Sequence, residues 1–278
     1  LSHTHTMNPH PTTVKRDSPP HNVKISFIAT HTNLHYKQAP ATTIMPDHSK
    51  EFKRPPKKYA PKGMTILYED RDIIVVDKES GLLTMGNERE SERTAYNYLN
   101  FYVSKGNPKS PHRIYIVHRL DRETSGVLLF AKSPEAKSYL QKQWSNFSKF
   151  YYAAVEGNMP KPEGTITSRL VESGVHRMYA TKDPEQGKEA STHYKVIKHN
   201  DSHSLLELNL LTGKKHQIRV HLSDSGCPII GDKKYGAKQK GVKGLYLHSA
   251  SLTFTHPYSK KEMTITAPTP AQYEKYVR

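Results

Sequence analysis

Val117-His118-Arg119-Leu120-Asp121-Arg122-Glu123-Thr124-Ser125-Gly126-Val127-Leu128-Leu129 is the stretch on which the chain's reading turns: a charged, polar segment runs directly into an apolar strand. Val127–Ala131 has the length and composition of a buried sheet strand. The charged residues before it then form a loop presented by rigid elements, where functional groups tend to lie. Asp121, flanked by Arg119 and Arg122, offers an anionic oxygen nucleophile. An alternative is an Asp that caps the turn by accepting from the Glu123 or Thr124 amide.

Working outward, Ile66-Leu67-Tyr68 and Ile73-Ile74-Val75-Val76 read as short strands separated by turn residues 69–72, with a further turn at Gly81. Thr94 can cap a helix to about Ser104, ended by Gly106. Ser133-Pro134 supplies an N-cap and a first turn for a helix expected to run to about Ser148. Tyr151–Val155 is a strand closed by Gly157. Thr192–Lys198 and Leu205–Leu210 read as a hairpin, Lys215–Asp224 as a helix stopped by Gly226 and Pro228, and Leu245–Thr255 and Met263–Ala267 as two more strands. Many strands with few intervening helices predict an α+β domain on a mixed, largely antiparallel sheet flanked by helices.

Two further constellations stand out. In Lys149-Phe150-Tyr151-Tyr152-Ala153-Ala154-Val155-Glu156-Gly157, Tyr151 shares a strand face with Ala153 and Val155. Its ring either lines a cleft and stacks on a base or packs in the core. Leu210-Leu211-Thr212-Gly213-Lys214-Lys215-His216-Gln217-Ile218-Arg219-Val220-His221-Leu222 reads as strand, turn and helix start, which places backbone donors and Lys214 and Lys215 near an anion site. Helical spacing puts Lys215, Arg219 and Leu222 on one side. Arg219 is then a surface residue or points inward, where it needs a carboxylate, for which Asp121 is the natural candidate. His118, His176, His216, His221 and His248 complete no ligand set, and Gly231-Asp232 reads as a turn, so neither a metal nor a nucleotide loop is expected.

Composition narrows the class. Lys and Arg number 42 against 26 Asp and Glu, a net charge of +16, which favours a polyanionic partner, nucleic acid ahead of an anionic membrane surface. Mean hydropathy is -0.76, and no run approaches the ~18 apolar residues of a membrane span. No apolar segment near the start argues for secretion, and the single Cys227 fits a reducing compartment. Residues 1–62 differ from the rest, with 10 Lys and Arg against 3 Asp and Glu, 9 Pro, 7 His and no Gly. They are expected to be a mostly disordered basic leader or arm, with one possible strand near Val23–Ile28. Lys53-Arg54-Pro55-Pro56-Lys57-Lys58 within it is either a phosphate-touching arm or a solvated linker. Leu1 opens the chain and Met7 is its first methionine, which leaves open whether the upstream part belongs to the native product. A transit peptide is the alternative, and would place the protein in an organelle instead of the cytoplasm.

Together the three constellations resemble the RluA family of RNA pseudouridine synthases over about Ile66 to Pro268. His-Arg-Leu-Asp-x-x-Thr-Ser-Gly stands at 118–126, Lys-x-Tyr-x-Ala at 149–153 and Thr-Gly-x-x-His-Gln-Ile-Arg-x-His at 212–221. Weaker echoes are Pro228–Asp232 with Tyr235-Gly236, Leu247-His248 and His256-Pro257. The resemblance implies the pseudouridine synthase fold with a central active-site cleft in residues 63–278. It implies Asp121 as nucleophile, Tyr151 as a tyrosine stacking on the uracil and a candidate for assisting proton removal, and Arg219 as the partner of the aspartate. On the substrate side it implies Ile218 as pocket wall, Arg119 filling the gap left by an extruded base, and His118 and Lys214 as further contacts. Lys214 departs from the arginine frequent in the family, keeping the charge but losing bidentate geometry toward phosphate. No S4-type module is legible in the leader, so a stand-alone catalytic domain is expected.

The implied partner is RNA, ribosomal RNA slightly ahead of tRNA. No cofactor, membrane or obligate protein partner is implied, and the expected state is a monomer. A target uridine buried in its stack must flip out before the N1–C1′ bond breaks and C5 bonds to C1′. Attack of Asp121 on C1′ and its removal of a ribose proton are both compatible with the sequence. The rival classes are a non-catalytic RNA-binding or RNA-folding protein on the same scaffold and an unrelated basic nucleic-acid-binding domain. If phosphate contacts dominate, RNA affinity falls steeply with rising salt, a slope measurable by filter binding; an affinity indifferent to salt would contradict the charge argument.

Overall fold

Neither Ile73-Ile74-Val75-Val76 nor Val127-Leu128-Leu129-Phe130 alternates in polarity, because both runs are buried on two faces. Ile74, Val76, Leu128 and Phe130 enter one core while Ile73, Val75, Val127 and Leu129 enter a second on the other side of the sheet. The computed structural model describes residues 55–174 and 176–278. In order these form β1 (Met64–Glu69), β2 (Ile73–Lys78), α1 (Ala95–Val103), β3 (Tyr115–Ile116), β4 (Ser125–Ala131), α2 (Pro134–Lys142) and β5 (Ser148–Glu156). Then follow β6 (Glu163–Glu172), β7 (Met178–Thr181), β8 (Lys188–His199), β9 (His203–Leu210), α3 (Gln217–Asp224), β10 (Leu247–Thr255) and β11 (Glu262–Thr266).

The sheet runs β1-β2-β4-β10-β5-β9-β8-β6-β7, with β3 added on β4 and β11 on β10. Every pairing is antiparallel except β4 with β10, where His248 lies beside Ser125 and Ser249 beside Gly126. The expected mixed, largely antiparallel α+β architecture is therefore present. β10 joins its halves: one edge meets first β4 and then β11, and the other pairs with β5, setting Ser249 opposite Tyr151. A third, smaller core of Leu170, Met178, Ala190, Val220 and Tyr235 ties α3 to the β6–β8 strands.

Local signals act as read at several boundaries. The Thr94 and Ser133 side chains accept the amide N–H groups of Asn97 and Ala136, capping α1 and α2. Elsewhere tertiary packing moves the boundary. α2 ends at Lys142, not near Ser148, because Trp144–Asn146 tightens into a 3-10 turn that sends Phe147 into the second core. α3 begins at Gln217, not Lys215, because His216 is left-handed at φ 52°. β3, β6 and β7 have no counterpart in the sequence reading. Of the leader, Lys57–Tyr59 forms a 3-10 turn whose Tyr59 ring meets Phe101 edge-on at 5.9 Å, so ordered chain starts before Met64. The possible strand at 23–28 and Lys53-Arg54 lie outside the described residues. Among the described residues, no helix is long and apolar enough to cross a membrane.

Gly126 decides how closely β4 approaches β10. Its φ is 107°, and a Cβ there would lie 2.1 Å from the Ser249 carbonyl oxygen. Gly126→Ala is expected to destabilise the protein by ~2 kcal/mol or more, since backbone must move to admit the methyl group. Urea denaturation measures this, and an unchanged midpoint would show that the two strands separate freely.

Candidate active site

The loop between β3 and β4 is held from below by the segment after β2. Lys78, fully buried, donates from Nζ to the carbonyls of Glu79 (2.9 Å), Leu82 (2.8 Å) and Arg122 (3.1 Å). Burial pushes its pKa down to about 8, against the pull of Glu123 and Asp121. The Thr84 hydroxyl donates to the Leu120 carbonyl and accepts the Leu120 N–H, and Ser80 donates to the Glu123 carbonyl. The Thr124 N–H donates to the backbone carbonyl of Asp121, not to its carboxylate. The turn is thus closed by main chain and buried side chains, and the Asp121 side chain, 31% exposed, is left for other work.

The third constellation divides its labour. Buried Gln217 accepts from the Thr212 hydroxyl (2.7 Å) and the Lys214 N–H (3.0 Å), and donates to the Ser191 carbonyl and the Thr192 hydroxyl (both 2.9 Å). His221 lies between the Thr192 and Ser168 hydroxyls, its pKa pushed down to about 4 by burial. These contacts lock the Thr-Gly turn and α3 onto β8. Because the Lys214 amide is consumed internally, the expected open anion site at the turn loses that donor. Lys215 precedes the helix and does not share the inward face of Arg219; it pairs with Glu172 at the end of β6.

Arg219 points inward, but its principal partner differs from the expected one. Nε and Nη2 donate to the two carboxylate oxygens of Asp232 (2.7 and 2.8 Å), and Nη1 donates to Asp121 Oδ2 (3.1 Å). Burial opposes the charge, yet the Asp232 and Asp121 carboxylates raise the Arg219 pKa above its ordinary value. Tyr235 lies beneath the guanidinium, 5.0 Å from ring centroid to Cζ. His216 places Nε2 3.6 Å from Asp121 Oδ2 and Nδ1 2.7 Å from the Tyr235 hydroxyl. Asp121 Oδ1 has no partner among the described residues.

All seven residues singled out in the sequence line one cleft of about 630 Å³ that contains Asp121. Tyr151 is buried in its wall, and burial, partly offset by a hydrogen bond with Ser249, pushes its pKa up to about 12; at neutral pH it is a phenol, not a base. Ile218 is buried beside it, Arg119 is exposed and Lys214 half-buried. His118 is committed to the fold. Its Nε2 accepts the Leu129 N–H (3.0 Å), its ring stacks on Trp144 at 4.4 Å, and burial with the Lys149 charge pushes its pKa down to about 3. A substrate contact through that nitrogen is excluded.

Asp232, Tyr235 and His216 are named in the sequence reading without a role at this site, and Lys78 is not singled out there at all. Gly231-Asp232 is a turn as read, but the partnership of Asp232 with Arg219 carries no sequence signal beyond the Gly-Asp-x-x-Tyr echo. Among the described residues, Asp70, Asp72 and His256 bring metal-type ligand atoms together. Asp70 already accepts from Tyr68, His256 and two amides there, so that group is a hydrogen-bonded clasp.

A carboxylate with one oxygen clamped and the other without a partner among the described residues, in a cleft bordered by arginine, lysine and a buried tyrosine, is an arrangement suited to work on a polyanionic substrate. Residues 72–224 match the family model described as RNA pseudouridylate synthase. The dual-specificity RNA pseudouridine synthase RluA of Vibrio cholerae is 35% identical over 73% of this chain and 82% of its own. The ribosomal large subunit pseudouridine synthase C of Vibrio vulnificus is 32% identical over 77% of this chain and 68% of its own. The structure of human RNA pseudouridylate synthase domain containing 4 superimposes with a TM-score of 0.63 at 26% identity, over 75% of this chain and 89% of that one. The chain belongs to the RluA family of RNA pseudouridine synthases, and is accordingly an RNA-modifying isomerase with the pseudouridine synthase fold.

The buried histidines give the fold a defined acid weakness. Unfolded histidine takes up a proton near pH 6.5, whereas folded His118 and His221 do so only near 3 and 4. Between these limits the unfolded state binds more protons, so stability falls as pH drops below about 6.5, by roughly 2 kcal/mol per histidine at pH 5. Urea midpoints measured from pH 7.5 to 5 should track this slope, and His221→Gln should flatten it. A midpoint constant over that range would mean that both rings are charged inside the protein.

Proposed function

We propose that this enzyme isomerises uridines in structured RNA, ribosomal RNA ahead of tRNA, with Asp121 as the nucleophile. The observation that carries the reading is the Asp121 carboxylate itself: Oδ2 is held by Arg219 and Oδ1 has no partner among the described residues, in the same cleft as Tyr151. The target nucleotide leaves its stack and enters that cleft, with Arg119 at the loop edge available to fill the vacated position. Tyr151, a neutral phenol backed by β5, supports the flat face of the base, and Ile218 closes the wall.

The reaction balances within the nucleotide. The N1–C1′ bond breaks, the uracil turns, C5 bonds to C1′, C5 loses a proton and N1 gains one. Asp121 acts at the ribose while the bond is broken, and Arg219 limits the rotation of its carboxylate. An isomerisation has no net redox or group transfer, so the proposal calls for no cofactor. The preference for ribosomal RNA leans on the relative named for the large ribosomal subunit. We also assign catalysis to residues 63–278, in agreement with a family match lying wholly inside them.

Asp121→Asn keeps the size of the side chain and removes its charge. It is expected to abolish pseudouridine formation while leaving RNA affinity within a few-fold. Carbodiimide primer-stop mapping of RNA from cells carrying either form reads both the activity and the target. Undiminished modification by the variant would remove Asp121 from the chemistry.

A further inference from the structure

Among the described residues, His216 is the one near Asp121 whose backbone is left-handed without being glycine, at φ 52° and ψ 18°. That conformation precedes α3 and coincides with an imidazole set between the Tyr235 hydroxyl and the Asp121 carboxylate. Counting protons fixes which nitrogen carries hydrogen. The Tyr235 oxygen already accepts the Met178 N–H (3.1 Å), and its ring is buried. If His216 Nδ1 were also a donor, the phenolic proton would have no acceptor among the described residues, an unmet buried donor of the kind proteins avoid. The same tautomer would turn the Nε2 lone pair toward the negative oxygen of Asp121. With the Tyr235 O–H donating to Nδ1, both conflicts disappear: hydrogen sits on Nε2 and is aimed at Oδ2.

We propose that His216 is a positioning residue for the isomerisation, fixed by Tyr235 as its Nε2–H tautomer, and that with Arg219 it pins Asp121 Oδ2 so that Oδ1 meets the substrate. The inference rests on Asp121 being the reacting carboxylate. At 3.6 Å the His216 contact is longer than a hydrogen bond, as such contacts often are before substrate closes the site. Burial, with Arg219 nearby, keeps the ring neutral by pushing its pKa down to about 4 despite the pull of Asp121. Neutrality matters here: Arg219 already supplies one full charge, and a second cation would bind the carboxylate's electrons more tightly and blunt it as a nucleophile. A neutral donor restricts rotation without that loss.

The test is long-range proton–nitrogen correlation NMR on the full chain with nitrogen-labelled histidine, the His216 signals being assigned by their disappearance in His216→Gln. The expected pattern is an Nε2–H imidazole in the wild type and loss of that single tautomer in Tyr235→Phe. Kinetics on transcribed, unmodified ribosomal RNA and tRNA give the second readout. Tyr235→Phe and His216→Leu should lower kcat by on the order of tenfold to a hundredfold with KM little changed. His216→Gln, which returns an N–H near the Nε2 position, should recover most of the rate. An Nδ1–H imidazole in the wild type, or a Tyr235→Phe enzyme with unaltered tautomer and turnover, would overturn the proposal. A wild-type protein that modifies no RNA would instead overturn the catalytic reading and leave the tautomer result standing.

Discussion

Burying a guanidinium without matched carboxylates costs several kcal/mol, and this protein buries Arg219 between two. Asp232, itself 1% exposed, takes the two-point contact and so fixes the plane of the guanidinium. Its own position is set by Gly231, whose φ of 83° and lack of a side chain let the turn pass against the Gly244 carbonyl. With Nε and Nη2 committed, the place of Nη1 is fixed, and one of its N–H groups meets Asp121. The carboxylate is thus oriented by a chain of constraints that begins in a turn with no visible part in the chemistry.

Asp121 is approached from the opposite side by a different device. The buried Lys78 gathers three carbonyls beneath the loop, and Thr84 closes a reciprocal pair with Leu120. Side chains on free loops are seldom held to within tenths of an ångström, as a preorganised site requires. Here the loop is short, tied to β2 and β4, and followed at once by the Gly126–Ser249 contact that joins β4 to β10. Because β10 also carries Ser249 against Tyr151, the aspartate and the tyrosine are spaced by sheet geometry and not by side-chain choice.

The sequence was legible where a residue's task is local. Thr94 and Ser133 cap helices by contacts three residues away, and the unbroken apolar runs of β2 and β4 announce strands buried on both faces. Motif order also placed the expected site residues in one cleft. What stayed hidden depends on distant partners. Asp232 reads as a turn residue until Arg219 is seen against it, and nothing local shows that His118 Nε2 accepts the Leu129 N–H while its ring stacks on Trp144. β6 and β7 carry few apolar residues, Ile166 serving the first core while Leu170 and Met178 serve the small third one, and Gly and Pro interrupt the flanking chain. The end of α2 is not legible because packing, not a local stop signal, turns Trp144 into a 3-10 turn and sends Phe147 into the second core.

Trp144 carries one more consequence. It is the chain's single tryptophan, and it forms part of the cleft wall, held there by the stack on His118 and by Lys149, which donates to its carbonyl. Indole emission from this protein therefore originates at one known point, in the wall of the cleft that Asp121 also lines. The molecule comes with an optical probe already installed, so the entry and departure of RNA can be timed without a dye.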